Sequence, residues 1–106
     1  MLKSILKLLG IGNSTDYKQL LQNGAIIIDV RSKGEFLSGH IESAVNIPLD
    51  QLRNQLHTLT DKTRPIITCC ASGMRSASAK SILKAAGYEK VYNGGGWHSL
   101  QRKTIQ

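Results

Sequence analysis

At 106 residues, 41% hydrophobic and 20% charged, the chain suits one globular domain around one core and excludes bulk disorder. A formal net charge of +7 favours anions, with nucleic acid as one reading and a small anionic substrate as another. The basic residues are scattered (Lys3, Lys7, Lys18, Arg31, Arg53, Arg64, Lys84, Lys90, Lys103) and aromatics make up only 5%, so no nucleic-acid partner is expected.

In chain order, residues 1–14 form a short amphipathic segment ahead of a domain expected over 15–106. Leu2, Ile5, Leu6 and Leu9 fall on one helical face, interrupted by Lys3 and Lys7. Two readings stand: a helix docked on the domain, or a membrane-surface anchor with lysines on its polar side. Docking is preferred, since so short a segment buries little area. Thr15 or Asp16 then caps a helix carrying Tyr17, Leu20 and Leu21, which stops at Gly24. Ala25 to Val30 is a continuous apolar, β-branched run with no alternation, the pattern of a parallel strand covered on both faces.

A short helical turn over Lys33 to Ser38 ends at Gly39, and Ser43 to Pro48 reads as a brief second strand. Leu49, Leu52, Leu56 and Leu59 give a helical stripe, and Pro65 to Cys69 another buried strand. Ser76 to Ala86 is helical, with Ile82 and Leu83 inward and Gly87 at its end. Lys90 to Asn93 is a last strand, followed by Gly94-Gly95-Gly96 and a final helix from Trp97. Strands alternating with helices predict an α/β fold with a mostly parallel sheet, whose sites lie beyond the carboxyl ends of the strands.

Thr68-Cys69-Cys70-Ala71-Ser72-Gly73-Met74-Arg75-Ser76 stands at such a place. Gly73 permits a tight curl, Ala71 and Ser72 are small, and the first N–H groups of the next helix lack intrahelical partners. The result is an anion nest. A cysteine at its mouth, Cys70, has its thiolate favoured and is the candidate nucleophile. Arg75 closes the loop with a planar fork suited to oxyanions. The competing reading makes Cys70 one more small buried residue. Cys69 opens a second frame, Cys-x5-Arg, the spacing of cysteine phosphatases. Geometry decides between them: a Cys69 side chain turned inward at the strand end leaves the frame from Cys70. Cys69 is expected to be structural rather than a resolving thiol.

Cys70-Ala71-Ser72-Gly73-Met74-Arg75-Ser76 resembles the active-site loop of rhodanese-like sulfurtransferases, Cys-x-x-Gly-x-Arg-Ser. The resemblance extends through Asp29-Val30-Arg31, Glu35-Phe36, Gly39-His40-Ile41, Ala44 to Pro48 and Gly94 to Trp97, in the family's order and spacing. It implies a rhodanese-like fold of the single-domain type, with four or five strands and helices on both faces. It also implies transfer of a sulfane sulfur through a persulfide on Cys70, cradled by the backbone of Ala71, Ser72, Gly73, Met74 and Arg75. The donor would be a small anion such as thiosulfate, or a protein persulfide, and the acceptor a thiol or cyanide. Ala71 replaces a residue often basic in the family, Met74 one commonly polar, and Cys69 adds a second thiol, so the mouth is less cationic and more apolar. A sulfur-carrier module with little small-molecule turnover is the second hypothesis.

Asp29, Arg31 and Glu35 are expected to be structural, pairing charges and accepting loop N–H groups. His40 is expected to pack and bond a turn, His57 and His98 to lie on the surface, and Trp97 to belong to the core more than to the entrance. Adjacent cysteines and dispersed histidines lack zinc-ligand spacing, and the glycines lack the nucleotide fingerprint, so neither metal nor cofactor is expected. Two neighbouring cysteines cannot staple a small secreted fold, so a reducing compartment, the cytoplasm, is the expected location. No apolar run is long enough to span a bilayer, and no membrane contact is expected.

Overall fold

The computed structural model describes residues 15–105, so the expectations for 1–14 lie outside the described residues. The described elements run α1 (Tyr17–Gln22), β1 (Ile26–Asp29), α2 (Lys33–Ser38), β2 (Val45–Asn46), a 3-10 helix (Leu49–Thr58), β3 (Ile66–Cys70), α3 (Met74–Ala85), β4 (Val91–Gly96) and α4 (Trp97–Thr104). The strands form one four-stranded sheet in the order β2-β1-β3-β4, and every pairing is parallel.

The apolar runs account for this arrangement. Along β1 and β3, alternate residues enter two different cores, as a strand's two-residue period requires. Ile28, Ile66 and Cys70 join Leu52, Ala79, Leu83 and Tyr88 on one side of the sheet. Ile27, Ile67 and Cys69 join Ile41 and Leu100 on the other, where Tyr17, Leu20 and Trp97 pack against them. Helices thus cover both faces, as the unalternating sequence of these strands demands.

Local signals set the helix starts. Asp16 Oδ1 accepts the N–H of Gln19 at 3.0 Å and caps α1. Ser32 and Glu35 form a reciprocal capping box on α2. One helix type and several element ends differ from the sequence reading. The leucine stripe is a 3-10 helix, with Leu52 buried. The spacing of Leu49 and Leu52, and of Leu56 and Leu59, is one 3-10 turn, which the helical pattern alone does not separate from an α-helix. Strand β3 extends to Cys70, α3 begins at Met74, and β4 continues through Gly96. The glycines are therefore strand residues that permit close packing: a Cβ on Gly94 would lie 2.7 Å from the Thr68 carbonyl oxygen.

The carboxyl ends of β1, β3 and β4 all open on one edge. From β1 the chain passes to β2 on one side, while β3 lies on the other, so the gap above β1 and β3 is the topological switch point. Cys70 ends β3 there.

Candidate active site

Cys70 is 1% exposed, yet its sulfur is not left to the apolar core. The N–H of Gly73 donates to Sγ at 2.9 Å, and the N–H of Ser76 donates at 3.4 Å. Gly73 makes the curl possible with φ +105°, a conformation that side chains disfavour. Its place immediately before α3 turns the helix's unpaired N–H groups back onto the sulfur. Burial by itself would push the Cys70 thiol up. The N–H and hydroxyl of Ser76, with the N–H groups of Gly73 and Ser72, outweigh burial and hold the thiol below its ordinary value.

Cys69 has the opposite environment. Its side chain is fully buried on the other face of the sheet. Burial foremost, then the Asp29 carboxylate, pushes its thiol up to about 12. It stays protonated near neutrality and does not point into the loop. The frame of six residues from Cys70 to Arg75 is therefore the one whose amides face a sulfur, and the Cys-x5-Arg frame is not assembled.

The other residues of the loop divide. Ala71 and Ser72 are exposed on its rim, and Met74 is 80% exposed at the lip. The fork of Arg75 grips a carboxylate across the site. Its Nη1 and Nη2 donate to Glu35 Oε1 and Oε2 at 2.7 and 3.0 Å, a bidentate pair spanning the switch point. The Arg75 guanidinium, foremost among the groups around it, holds the Glu35 carboxyl at about 2. A separation of 40 residues hides this pairing from any local reading of the sequence.

Beneath it lies a second pair. Asp29 and Arg31 are both buried, and Arg31 donates to Asp29 through Nε at 3.0 Å and Nη2 at 2.7 Å. Arg31 Nη2 also donates to the Gly39 carbonyl at 2.7 Å, and its guanidinium sits 4.7 Å from the centre of the Trp97 ring. Asn46 Nδ2 donates to the carbonyls of Asp29 and Arg31, both at 3.0 Å. These bonds hold the turn that presents Glu35. His40 stacks on Phe36 with ring centres 3.7 Å apart, and its Nδ1 lies 2.7 Å from the Phe36 carbonyl oxygen. His57 and His98 are exposed.

Two contributors were not singled out from the sequence. Ser76 closes the motif in sequence, yet its N–H reaches the sulfur and its Oγ lies near both the Gly73 carbonyl and Asn93 Oδ1. Asn93 Oδ1 also accepts the Gly95 N–H at 2.9 Å, tying the end of β4 to the start of α3. A Cβ on Gly96 would come 3.0 Å from the Ala71 carbonyl oxygen, so the glycine strand lies directly against the loop.

This geometry has known counterparts. The profile of the rhodanese-like domain matches residues 13–103. The thiosulfate sulfurtransferase 18 of Arabidopsis thaliana is 39% identical over 92 residues, covering 74% of this chain and 68% of that protein. A tRNA uridine(34) hydroxylase of Buchnera aphidicola is 33% identical over 86 residues, and there the match covers 76% of this chain but only 28% of the relative's length. Among solved structures, a rhodanese with anions from E. coli superposes with a TM-score of 0.67 at 34% identity, covering 71% of this chain and 89% of that one. With its four parallel strands, its Cys70-to-Ser76 loop and these matches, the chain belongs to the rhodanese-like domain family.

Proposed function

We propose that the chain is a sulfurtransferase that moves a sulfane sulfur from an anionic donor such as thiosulfate to a thiol or cyanide acceptor. The Cys70 thiolate attacks the outer sulfur of thiosulfate. The S–S bond of the donor breaks, sulfite departs with the bonding pair, and a Cys70 persulfide forms. The acceptor then takes the terminal sulfur and Cys70 leaves as the thiolate. The single observation behind this reading is the pair of N–H donors, Gly73 and Ser76, aimed at Sγ. Such donors stabilise negative charge on the thiolate without rearrangement, and an added terminal sulfur would sit in the same field. Ala71, Ser72, Gly73, Met74 and Arg75 form the rim that the donor meets. No metal or cofactor enters this scheme, and the two free thiols suit the reducing cytoplasm.

Intact-mass measurement after thiosulfate treatment tests the proposal, with Cys69→Ser and Cys70→Ser variants alongside. A gain of one sulfur atom that persists in Cys69→Ser and disappears in Cys70→Ser is expected. A gain that follows Cys69 refutes it. The exposed Met74 and the engagement of Arg75 with Glu35 favour a second reading, a carrier loaded by a protein persulfide. A carrier gains the sulfur yet turns over thiosulfate and cyanide poorly in steady state, whereas the enzyme does both.

A further inference from the structure

A helix whose N-cap carries a side-chain oxygen ordinarily satisfies the N–H of its second or third residue with that oxygen. The N-cap of α3 is Gly73, which has no side chain to offer, and the third residue is Ser76. Cys70 Sγ takes the place of the missing cap and accepts the Ser76 N–H from 3.4 Å away. This is the longer of the two donor contacts, so it depends most on where the first turn of α3 is held.

Ser76 is fully buried, and its other polar atoms are committed. Its carbonyl accepts the Thr68 hydroxyl at 2.9 Å. Its Oγ lies 3.0 Å from the Gly73 carbonyl oxygen and hydrogen-bonds Asn93 Oδ1. The orientation of the Asn93 amide follows from its other neighbour. The Gly95 N–H can only donate, so the Asn93 atom 2.9 Å away is the oxygen. That oxygen can only accept, and Ser76 therefore supplies the proton between them. One amide oxygen thus holds two walls of the nest, α3 through Ser76 and the glycine run of β4 through Gly95. Gly95 completes this turn at φ +77°, and Gly96 beside it lies against the Ala71 carbonyl. The backbone of Asn93 is fixed in turn by Tyr17, whose hydroxyl donates to the Asn93 carbonyl at 3.1 Å.

We infer that Asn93 is a positioning residue for the sulfur site and that it acts through Ser76: by accepting the Ser76 hydroxyl it keeps the Ser76 N–H aimed at Cys70 Sγ. This role rests on the sulfur-transfer reading of Cys70, since it serves catalysis only where the sulfur carries negative charge. Without Asn93, the Ser76 hydroxyl is left with the Gly73 carbonyl three residues back, a local bond of the kind that bends helices. The turn follows the hydroxyl, and the N–H leaves the sulfur. The charged and titratable groups of the packed elements are untouched by this change. Arg75 stays paired with Glu35, and Asp29 with Arg31 at the end of β1. Tyr92 and Cys69 lie on the far face of the sheet, and the 3-10 helix brings the apolar Leu52 to this core.

Alkylation of Cys70 by iodoacetamide as a function of pH tests the role of Asn93, in the Cys69→Ser background so that one thiol reports. Asn93→Ala should raise the Cys70 pKa by about half to one unit, the worth of one hydrogen bond. Asn93→Ser should do the same, because its oxygen is one bond shorter, able to take the Gly95 N–H but not to reach Ser76. Ser76→Ala should raise the pKa too, and adding Asn93→Ala to it should raise it no further, because the amide has lost the group through which it acts. An unchanged pKa in the Asn93 variants, or additive shifts in the double variant, overturns the inference. A residue that merely braces the fold would lower the thermal midpoint and leave the pH profile in place. Should Asn93→Ala fail to fold, the milder Asn93→Ser decides. Alkylation needs no sulfur donor, so failure of the unaltered protein to gain sulfur from thiosulfate refutes sulfur transfer alone, and the pH profiles still decide the role of Asn93.

Discussion

Asp29→Ala is the most demanding perturbation that the structure suggests. Asp29 is fully buried and Arg31 is 4% exposed, so the substitution strands a guanidinium in the interior. Arg31 would lose its Nε and Nη2 bonds to the carboxylate and keep only the Gly39 carbonyl at 2.7 Å and the Glu35 carbonyl at 3.3 Å. Breaking a buried pair by removing one partner costs about 3–5 kcal/mol, against about 5–15 kcal/mol for a whole domain. With each kcal/mol worth about 4–8 °C in a domain of this size, Tm should fall by at least about 12 °C. Urea unfolding followed by circular dichroism gives the free energy, with Arg31→Met and the double variant completing a cycle. Because the double variant removes both charges, its cost should fall short of the sum of the singles by more than about 1 kcal/mol. An Asp29→Ala variant that loses less than about 1 kcal/mol, or a cycle that is additive, would show that the pair does not hold this turn.

Other outcomes follow from the same geometry. The alkylation rate of Cys70 should rise with pH and level off at a pKa below the ordinary thiol value, because thiolate is the reactive form; a profile carried by Cys69, whose thiol is pushed up to about 12, contradicts this. Gly73→Ala places a side chain at φ +105°, a strain of about 1–2 kcal/mol, and displaces the N–H donor. Its Cys70 pKa, read from the same alkylation profile, should move up, and an unchanged value would mean that this N–H does not support the thiolate. Glu35 sits at about 2 in the fold against an ordinary 4.5, so its contribution to stability is complete above 4.5 and lost as pH falls towards 2. The urea-measured gap between the native protein and Glu35→Gln should close over that window, and a gap independent of pH would remove the Arg75 pairing as its cause. Gly94→Ala drives a Cβ to within 2.7 Å of the Thr68 carbonyl oxygen and 2.9 Å of Leu100 Cδ2. Overpacking of that kind costs about 1–3 kcal/mol, and a thermal melt identical to the native protein would refute the close packing of β4 on β3.

The order of elements, the parallel sheet and the loop were legible in the sequence because each rests on short-range patterns. Ala25 to Val30 has no polar alternation, so it had to be a strand covered twice. Ser32 with Glu35, and Asp16 with Gln19, are local capping arrangements that need no partner elsewhere. Cys70 followed by Ala-Ser-Gly-Met-Arg-Ser marked a strand-to-helix junction whose N–H groups are free, and that is where the sulfur sits. Element ends were less legible. Gly94 to Gly96 carry weak strand propensity, and their place in β4 comes from pairing with β3.

What the sequence alone decided, then, is local: strands, caps, the curl at Gly73 and the candidacy of Cys70. The tertiary structure decided which of two neighbouring thiols faces the loop amides. Both are buried and adjacent, and only the alternation of β3 between two cores sends Cys70 towards the α3 amides and Cys69 towards Asp29. It decided as well that Arg75 is held by Glu35. Charges far apart along the chain meet only once the sheet has set the distance between the elements that carry them, and no local pattern encodes that distance.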